Sequence, residues 1–500
     1  MKQIRSALVV VSMFATLTAC TVDSYEQAAG PGEPGPATPS TPPATTDPMQ
    51  AVTPPPGKAI VRVVHASADA PAVDVYARGS DRPLVTGLAY GQTSAWLAVE
   101  PGSYEFELRA APSKATDPIA YKTDALAVGA GVKISAVAAG LLSSKSLEAS
   151  FRVVPVVEGF GAAQPGSARL RILHAGADAP SVDLDVGNDD PTKPEIASLK
   201  RFSDTGAEGA ALPSNTELAV GIAAGGARVT AFTTPKLPDG ANVLVIATGL
   251  LGKLGRERDG FSLLAIGPNG SLGFIKQDPM VYALHAGPDA PRVDAFVGAS
   301  EIVDDVGFGE LARPVQVQPG TYTVDFFGHA AGSARPAGNP AASSSTGPLA
   351  AGERYLAVAT GFLAGSGASA FRLAGYREGF DLGTGKPQLR AVHNSPDATE
   401  VDIGIANATS INPVLFAGLS FTQSSAEGGL GASAGHLPIG VTPAGLNSTF
   451  VARFTVPATN EQRAFVLASG ALDVQKGQRF RFLVVDTATA PWTVSAVHPH

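Results

Sequence analysis

VRVVHASADAPAVDV, which begins at Val61, decides the fold because the chain uses it four times. LRILHAGADAPSVDL begins at Leu170, VYALHAGPDAPRVDA at Val281 and LRAVHNSPDATEVDI at Leu389. Each copy runs through apolar residues to a histidine, turns at an aspartate, and then alternates apolar and polar residues. That is the pattern of two short strands joined by a tight connection. Alternation puts Val61, Val63 and His65 on one face of the first strand, with Arg62 and Val64 on the other. After the turn, Val73 and Val75 share a face and Asp74 opposes them. The histidines His65, His174, His285 and His393 stand 109, 111 and 108 residues apart, and they are four of the 8 in the chain.

A second segment recurs later in each unit: ISAVAAGLL ending at Leu142, VLVIATGLL at Leu251, YLAVATGFL at Leu363 and AFVLASGAL at Leu472. Two motifs repeating in step define four structural units. Other segments match only in alternate units. YGQTSAWLAVEPGSYEFELRAA from Tyr90 aligns with FGELARPVQVQPGTYTVDFFGHAA from Phe308, and ASFRVVPVVEGF from Ala149 with SAFRLAGYREGF from Ser369. The second and fourth units share a different tail, FSLLAIGPNGSLGFI from Phe261 and FRFLVVDTATAPWTVSAV from Phe480. The order is therefore A-B-A-B, the product of a duplicated two-domain unit, and A and B are expected to pack as a pair.

Within a unit, short runs rich in Val, Leu, Phe and Tyr are broken by Gly, Pro or Asp, and no long stretch has helical periodicity. The expected fold is all-β: four tandem immunoglobulin-like or transthyretin-like β-sandwiches in a rod or bent string. The units are 58–165 (A), 166–278 (B), 279–386 (A) and 387–500 (B), after a disordered Pro-rich linker.

Composition narrows the function. Charged residues make up 16% of the 500 residues, and 36 basic against 44 acidic residues give a formal charge of −8. No basic footprint for nucleic acid is present. The single cysteine, Cys20, excludes intrachain disulfides and Cys-based zinc sites, so burial alone must hold each unit together. Residues 1–20, MKQIRSALVVVSMFATLTAC, have Lys2 and Arg5 ahead of an apolar run, the layout of a secretory signal. The ending Leu17-Thr18-Ala19-Cys20 resembles the bacterial lipoprotein signal, which implies a lipidated Cys20. Thr21 stands where an inner-membrane retention signal of that type carries Asp, so the resemblance implies the outer membrane. Residues 21–57 read as a Pro-rich disordered tether, reaching up to about 110 Å at roughly 3.1 Å per residue. The expected partners are the membrane, through the N-terminal lipid, and a protein or polysaccharide of the envelope. No cofactor is expected.

The repeated motif admits two readings. In one it is structural: His65, Asp69 and Asp74 lock the first loop to the sheet, the aspartates satisfying backbone amides and the imidazole. His174, Asp178 and Asp183, then His285, Asp289 and Asp294, and finally His393, Asp397 and Asp402 repeat the set. In the other, each set coordinates a divalent metal or lines a polar pocket at one sandwich end. Fourfold occurrence favours structure, since a folding device is needed in every unit and a catalytic site is not.

His-Ala-Ser/Gly-x-Asp-Ala-Pro-x-Val-Asp, followed by a Pro-Gly-x-Tyr strand and an Ala-x-Gly-Leu strand, resembles the bacterial family called domain of unknown function 4397. The resemblance runs from about Ala59 to the C-terminus and implies extracytoplasmic β-sandwich modules, often in tandem on lipoproteins. It implies no reaction and no site residues. The second and fourth units depart from it, lacking a clean Pro-Gly-x-Tyr, and Thr399 replaces the turn proline in the fourth.

Enzymatic signals are few. Gly431-Ala432-Ser433-Ala434-Gly435 fits the Gly-x-Ser-x-Gly elbow, which needs a strand before it and a helix after it, yet it sits in a small-residue loop of an all-β unit. Asn188, Asp189 and Asp190 read as a solvated turn. Trp96 and Trp492, the only tryptophans, are expected in the core, an exposed one being the alternative that would suit glycan stacking. The leading expectation is a non-enzymatic, lipid-anchored envelope protein for adhesion, scaffolding or ligand capture. A carbohydrate- or metal-binding module set comes second, a hydrolase a distant third.

Overall fold

A computed structural model describes residues 47–500. Cys20, the 1–20 signal and the tether as far as residue 46 lie outside the described residues. Among those described, regular structure is strand, apart from two short 3-10 helices at Gly367–Ser369 and Val474–Lys476. No helix among them is long and apolar enough to cross a membrane.

Each unit is a pair of sheets. In the first, Arg152–Val157, Lys133–Ala139, Ala59–His65 and Leu97–Val99 form one sheet in that order, and Val85–Leu88, Val73–Ala77, Phe106–Ala110 and Tyr121–Lys122 the other. Val63, Val73, Val75, Leu108 and Phe151 meet between them, the inward face that alternation assigns. The alternate tails have a structural meaning. In the B units they add a fifth strand, Gly270–Lys276 and Thr493–Val497, to the sheet that carries the motif histidine.

The first strand of every unit runs parallel to the strand of the second motif: Ala59–His65 beside Lys133–Ala139, Ser167–His174 beside Asn242–Thr248, Met280–His285 beside Arg354–Thr360, and Gln388–Asn394 beside Arg463–Ser469. Parallel strands covered on both faces read as nearly continuous apolar runs. Ala59–His65 is buried at every position.

The second cover is the neighbouring unit. Val64, Val137 and Val156 of the first unit pack against Leu173, Ile246 and Leu264 of the second. Leu284, Leu356 and Val358 of the third meet Val392, Phe465 and Leu467 of the fourth. The A and B units are thus joined back to back, as the A-B-A-B order leads us to expect. The reason is the apolar outer face of the histidine-bearing sheet, where each fully buried aliphatic side chain contributes about 1.5–3 kcal/mol.

The joints also bury polar groups. Arg62 and Glu158 pair with side chains 1% and 3% exposed, and Arg62 Nε donates to Ser135 Oγ at 2.7 Å. Arg62 Nη1 and Trp96 Nε1 cross to the B hairpin, donating to Gly267 O (2.8 Å) and Pro268 O (2.9 Å). In the second pair, Glu378 takes the place of Glu158 and accepts from Arg354 at 2.8 Å and, across the joint, from Thr487 Oγ1 at 3.1 Å. Trp492 stacks on Tyr282 with ring centres 3.9 Å apart. Both tryptophans are therefore joint residues, Trp492 buried and Trp96 half-buried.

The end of the expected 21–57 tether is docked from Asp47 onward. Pro48 O accepts from Asn269 N at 2.9 Å, and Met49 packs against the core of the second unit.

Replacing Glu158 by leucine would leave the Arg62 guanidinium charged in a dry site. Glu158→Leu is expected to lower the unfolding free energy by about 3–5 kcal/mol, and adding Arg62→Met to recover most of it. Denaturant titration of both variants reads the difference.

Candidate functional site

Each first strand ends in its histidine just before the chain turns. His65 Nε2 lies 2.9 Å from Pro71 O, His174 Nε2 2.7 Å from Pro180 O, His285 Nε2 2.8 Å from Pro291 O and His393 Nε2 2.9 Å from Thr399 O. A carbonyl only accepts, so the proton is on Nε2. In three units Nδ1 then accepts a backbone N–H two residues on, from Gly176, Gly287 and Ser395 at 3.2–3.3 Å. Burial pushes all four imidazoles below the ordinary histidine range. They are neutral struts inside the turn.

The first aspartate of each motif serves the second motif. Asp69 accepts from Leu142 N and Ser143 N, each at 2.8 Å, and Asp178 from Leu251 N (2.9 Å) and Gly252 N (3.1 Å). Asp289 accepts from Leu363 N (2.7 Å) and Ala364 N (3.1 Å), and Asp397 from Leu472 N (2.9 Å) and Asp473 N (3.0 Å). Burial would raise the Asp69 carboxyl, but the hydrogen bonds from Ser143 and Leu142 outweigh it and hold the group below the usual carboxylate range. The glycine before this loop is obligatory. Gly140 has φ +80, and a Cβ there would lie 2.4 Å from Ser150 O. Gly249, Gly361 and Gly470 meet the same obstacle.

The second aspartate points out of the sandwich and gathers the far loops. Asp74 accepts from Gly87 N and Ser113 N, both at 2.7 Å, and Asp402 from Gly418 N (2.7 Å) and Gly445 N (2.8 Å). Asp294 holds Asp305 N and Ala330 N at 2.9 Å, and Asp183 holds Ser198 N at 2.7 Å. The aspartates satisfy backbone amides as expected. Their expected contact with the imidazole is corrected, because His65 points inward and Asp74 outward and the ring is met by the turn carbonyl instead.

Among the described residues, one group has carboxylate and imidazole atoms within 4.8 Å of one another: Asp294, Asp304 and His329. His329 Nδ1 lies 2.9 Å from Asp294 Oδ1 and 3.8 Å from Asp304 Oδ1. The hydrogen bond to Asp294 raises this exposed histidine above its ordinary range. Reading the sequence missed His329, and also missed Arg62 with Glu158. The signals were present: FFGHAA inserts a histidine where the first unit has none, and both A units end in Glu-Gly-Phe.

Ser433 lies between strands Leu430–Gly431 and Gly435–Pro443, with no helix following it, and His436 is an exposed strand residue. Asp190 is a turn residue whose carboxyl, bonded by Thr192 and Lys193, is pulled down to about 2.

Fold and motif together define a tandem β-sandwich protein in which a histidine–aspartate corner ties two parallel strands in each unit. The family described as domain of unknown function (DUF4397) matches residues 59–185 and 279–404, over half of the chain, and the chain belongs to that family. Each match runs from an A unit into the first two strands of the following B unit. No curated protein matches. Among solved structures, the Bacillus anthracis TIE protein is 12% identical with a TM-score of 0.12, over 54% of this chain and 45% of that one. A product complex of SpuA, a multi-modular glycogen-degrading pneumococcal virulence factor, is 10% identical with a TM-score of 0.13, over 87% of this chain and 37% of that one. The chain thus spans less than half the length of either.

The corner predicts a pH dependence. The unfolded chain takes up histidine protons near pH 6.5, whereas the four buried imidazoles take them up only at lower pH. The stability they contribute is therefore complete above about pH 6.5 and is lost as pH falls below it. His329, shifted upward, acts in the opposite sense. Calorimetric melting temperature should fall between pH 7.5 and pH 5, and His329→Ala should steepen the fall. A flat profile would contradict neutral burial.

Proposed function

We propose that the chain is a non-enzymatic, lipid-anchored envelope protein that works by non-covalent contact: adhesion, scaffolding or ligand capture. The observation that carries the reading is the fate of the motif's polar groups. In all four units the imidazole Nε2 and both oxygens of the first aspartate are committed to the chain's own backbone. Groups so occupied are held in place by the chain itself, which is what a structural corner needs in every unit and what a site that must bind and release a substrate does not need four times. Tandem modules suit weak contacts that combine through effective concentration. The anchor rests on residues 1–20 and their resemblance to a lipoprotein signal ending at Cys20.

Protease shaving of intact cells tests placement and role together, with affinity capture of whatever stays attached. Release of the sandwiches from whole cells is expected if they are displayed outward, and protection until the outer membrane is opened if they face the periplasm. Recovery of the chain in the soluble cytosolic fraction, with no lipid on Cys20, would defeat the proposal.

One observation favours a second reading, a divalent-metal site in the third unit formed by Asp294, Asp304 and His329. Asp294 already accepts two backbone amides, so a metal would have to take the Oδ1 lone pair that now faces His329 Nδ1. Titration calorimetry with zinc should then give heat that His329→Ala removes, and no heat with the unaltered chain rejects this reading.

A further inference from the structure

The two A units share strands, corner and joint, yet they differ inside. Between the sheets of the first unit the free space is about 30 Å³, whereas in the third it is about 230 Å³. The difference is written in the aligned sequences. Val63, Val75, Leu97 and Phe106 of the first unit become Ala283, Ala295, Val315 and Val324 in the third. Phe326 for Leu108 and Leu373 for Val153 return only part of that volume. Those substitutions set the third unit apart from the first; the second and fourth units also hold space between their sheets, about 550 Å³ and 200 Å³, the larger of them bordered by Glu217 and Lys276.

Its shape and chemistry select an occupant. Half-buried Val317 and Tyr322 line one end of the hollow, and fully buried Val293, Val306 and His285 line the other. From Val281 to His285 the strand spans roughly 13 Å at about 3.3 Å per residue. A volume of 230 Å³ between two sheets has room for an alkyl chain laid along the strands. No charged side chain lines it. Of the polar side chains that line it, Ser300 is exposed to solvent and the others are already bonded: Tyr322 Oη donates to Gln318 O, Thr346 Oγ1 to Gly347 O, and His285 lies between Pro291 O and Gly287 N. Water needs two to four polar partners, and apolar cavities of about 150 Å³ stay dry and accept hydrocarbon.

We propose that the third unit binds the alkyl chain of a single-chain amphiphile, tail toward His285 and head group outside the Tyr322 end. The inference deepens the ligand-capture arm of the function proposed above, and shaving and affinity capture read the envelope role whichever way it falls.

Titration calorimetry of the full chain with 1-alkanols from hexanol to dodecanol tests it. Affinity should rise about fourfold per methylene until the chain reaches the floor at His285, and then level off. The double variant Ala295→Val with Val324→Phe installs the first unit's own residues and should abolish binding without lowering the melting temperature. Hydrogen exchange with saturating decanol locates the site in the unaltered chain, so the test survives a variant that folds badly. Slowed exchange is expected in Val293–Val297 and Thr323–Gly328 and not in Val73–Ala77. Displacement of decanol by a single-chain lysophosphatidylcholine would place the source in a phospholipid, and displacement by a fatty acid alone in a free chain. No alkanol binding, undiminished binding in the filled variant, or protection confined to other units would overturn the proposal.

Discussion

Two parallel neighbours in a sheet finish at the same edge, and this fact organises every unit of the chain. The strand ending at His65 and the strand ending at Ala139 arrive side by side, so a carboxylate in the turn after one reaches the amides in the turn after the other. The lock is needed because of how the first strand is buried. A strand with one wet face has its register fixed by alternation, since a slip of one residue would expose the core. Ala59–His65 is buried on both faces, so its aliphatic side chains alone distinguish the registers little, and a slip is opposed by polar residues, beginning with Arg62, which it would carry off Glu158 and into the sandwich. Register is then specified by polar groups that fit only one way: Asp69 on Leu142 and Ser143, and the His65 ring on Pro71.

Burial on the second face exists because A and B share it, so corner and joint depend on each other. The joint is mostly aliphatic, which gives affinity without orientation. Arg62 with Glu158 in one pair, and Glu378 with Arg354 and Thr487 in the other, supply orientation. A buried ion pair adds little net stability compared with apolar residues of the same size, but any arrangement that separates its members leaves a charge unpaired. The fifth strand of each B unit completes the fit, its hairpin accepting from Arg62 and Trp96 in the first pair and delivering Trp492 onto Tyr282 in the second.

Much of this was legible in the sequence. Alternation in VRVVH assigned the faces of Val63 and Val64 correctly, and alternate matching of tails anticipated the A–B pairs. What the sequence left dark were relations between distant residues. Asp69 is 73 residues from Leu142, and nothing local says that its partners are the amides of the second motif, because backbone N–H groups have no sequence signature. Glu158 was visible as a repeated letter, but its partner Arg62 lies on the far side of a strand whose outer cover belongs to another unit. Met49 was hidden by its setting, since proline density describes the segment and a single docked side chain does not alter it.

Duplication left two kinds of position behind. At the corner the geometry admits no substitute: Gly140 and its three counterparts each face a backbone oxygen, and the aspartates each need two fixed amides. In the sandwich interior any apolar residue of roughly suitable size keeps the fold, so the interior could drift. An empty hollow of 230 Å³ costs on the order of 5 kcal/mol at about 24 cal/mol per Å³. The third unit can carry that cost because its histidine-bearing sheet is secured twice, by its own corner and by the fourth unit behind it. The rigid frame is therefore what makes the interior free to change, and an occupant with apolar chemistry would return part of what the hollow costs.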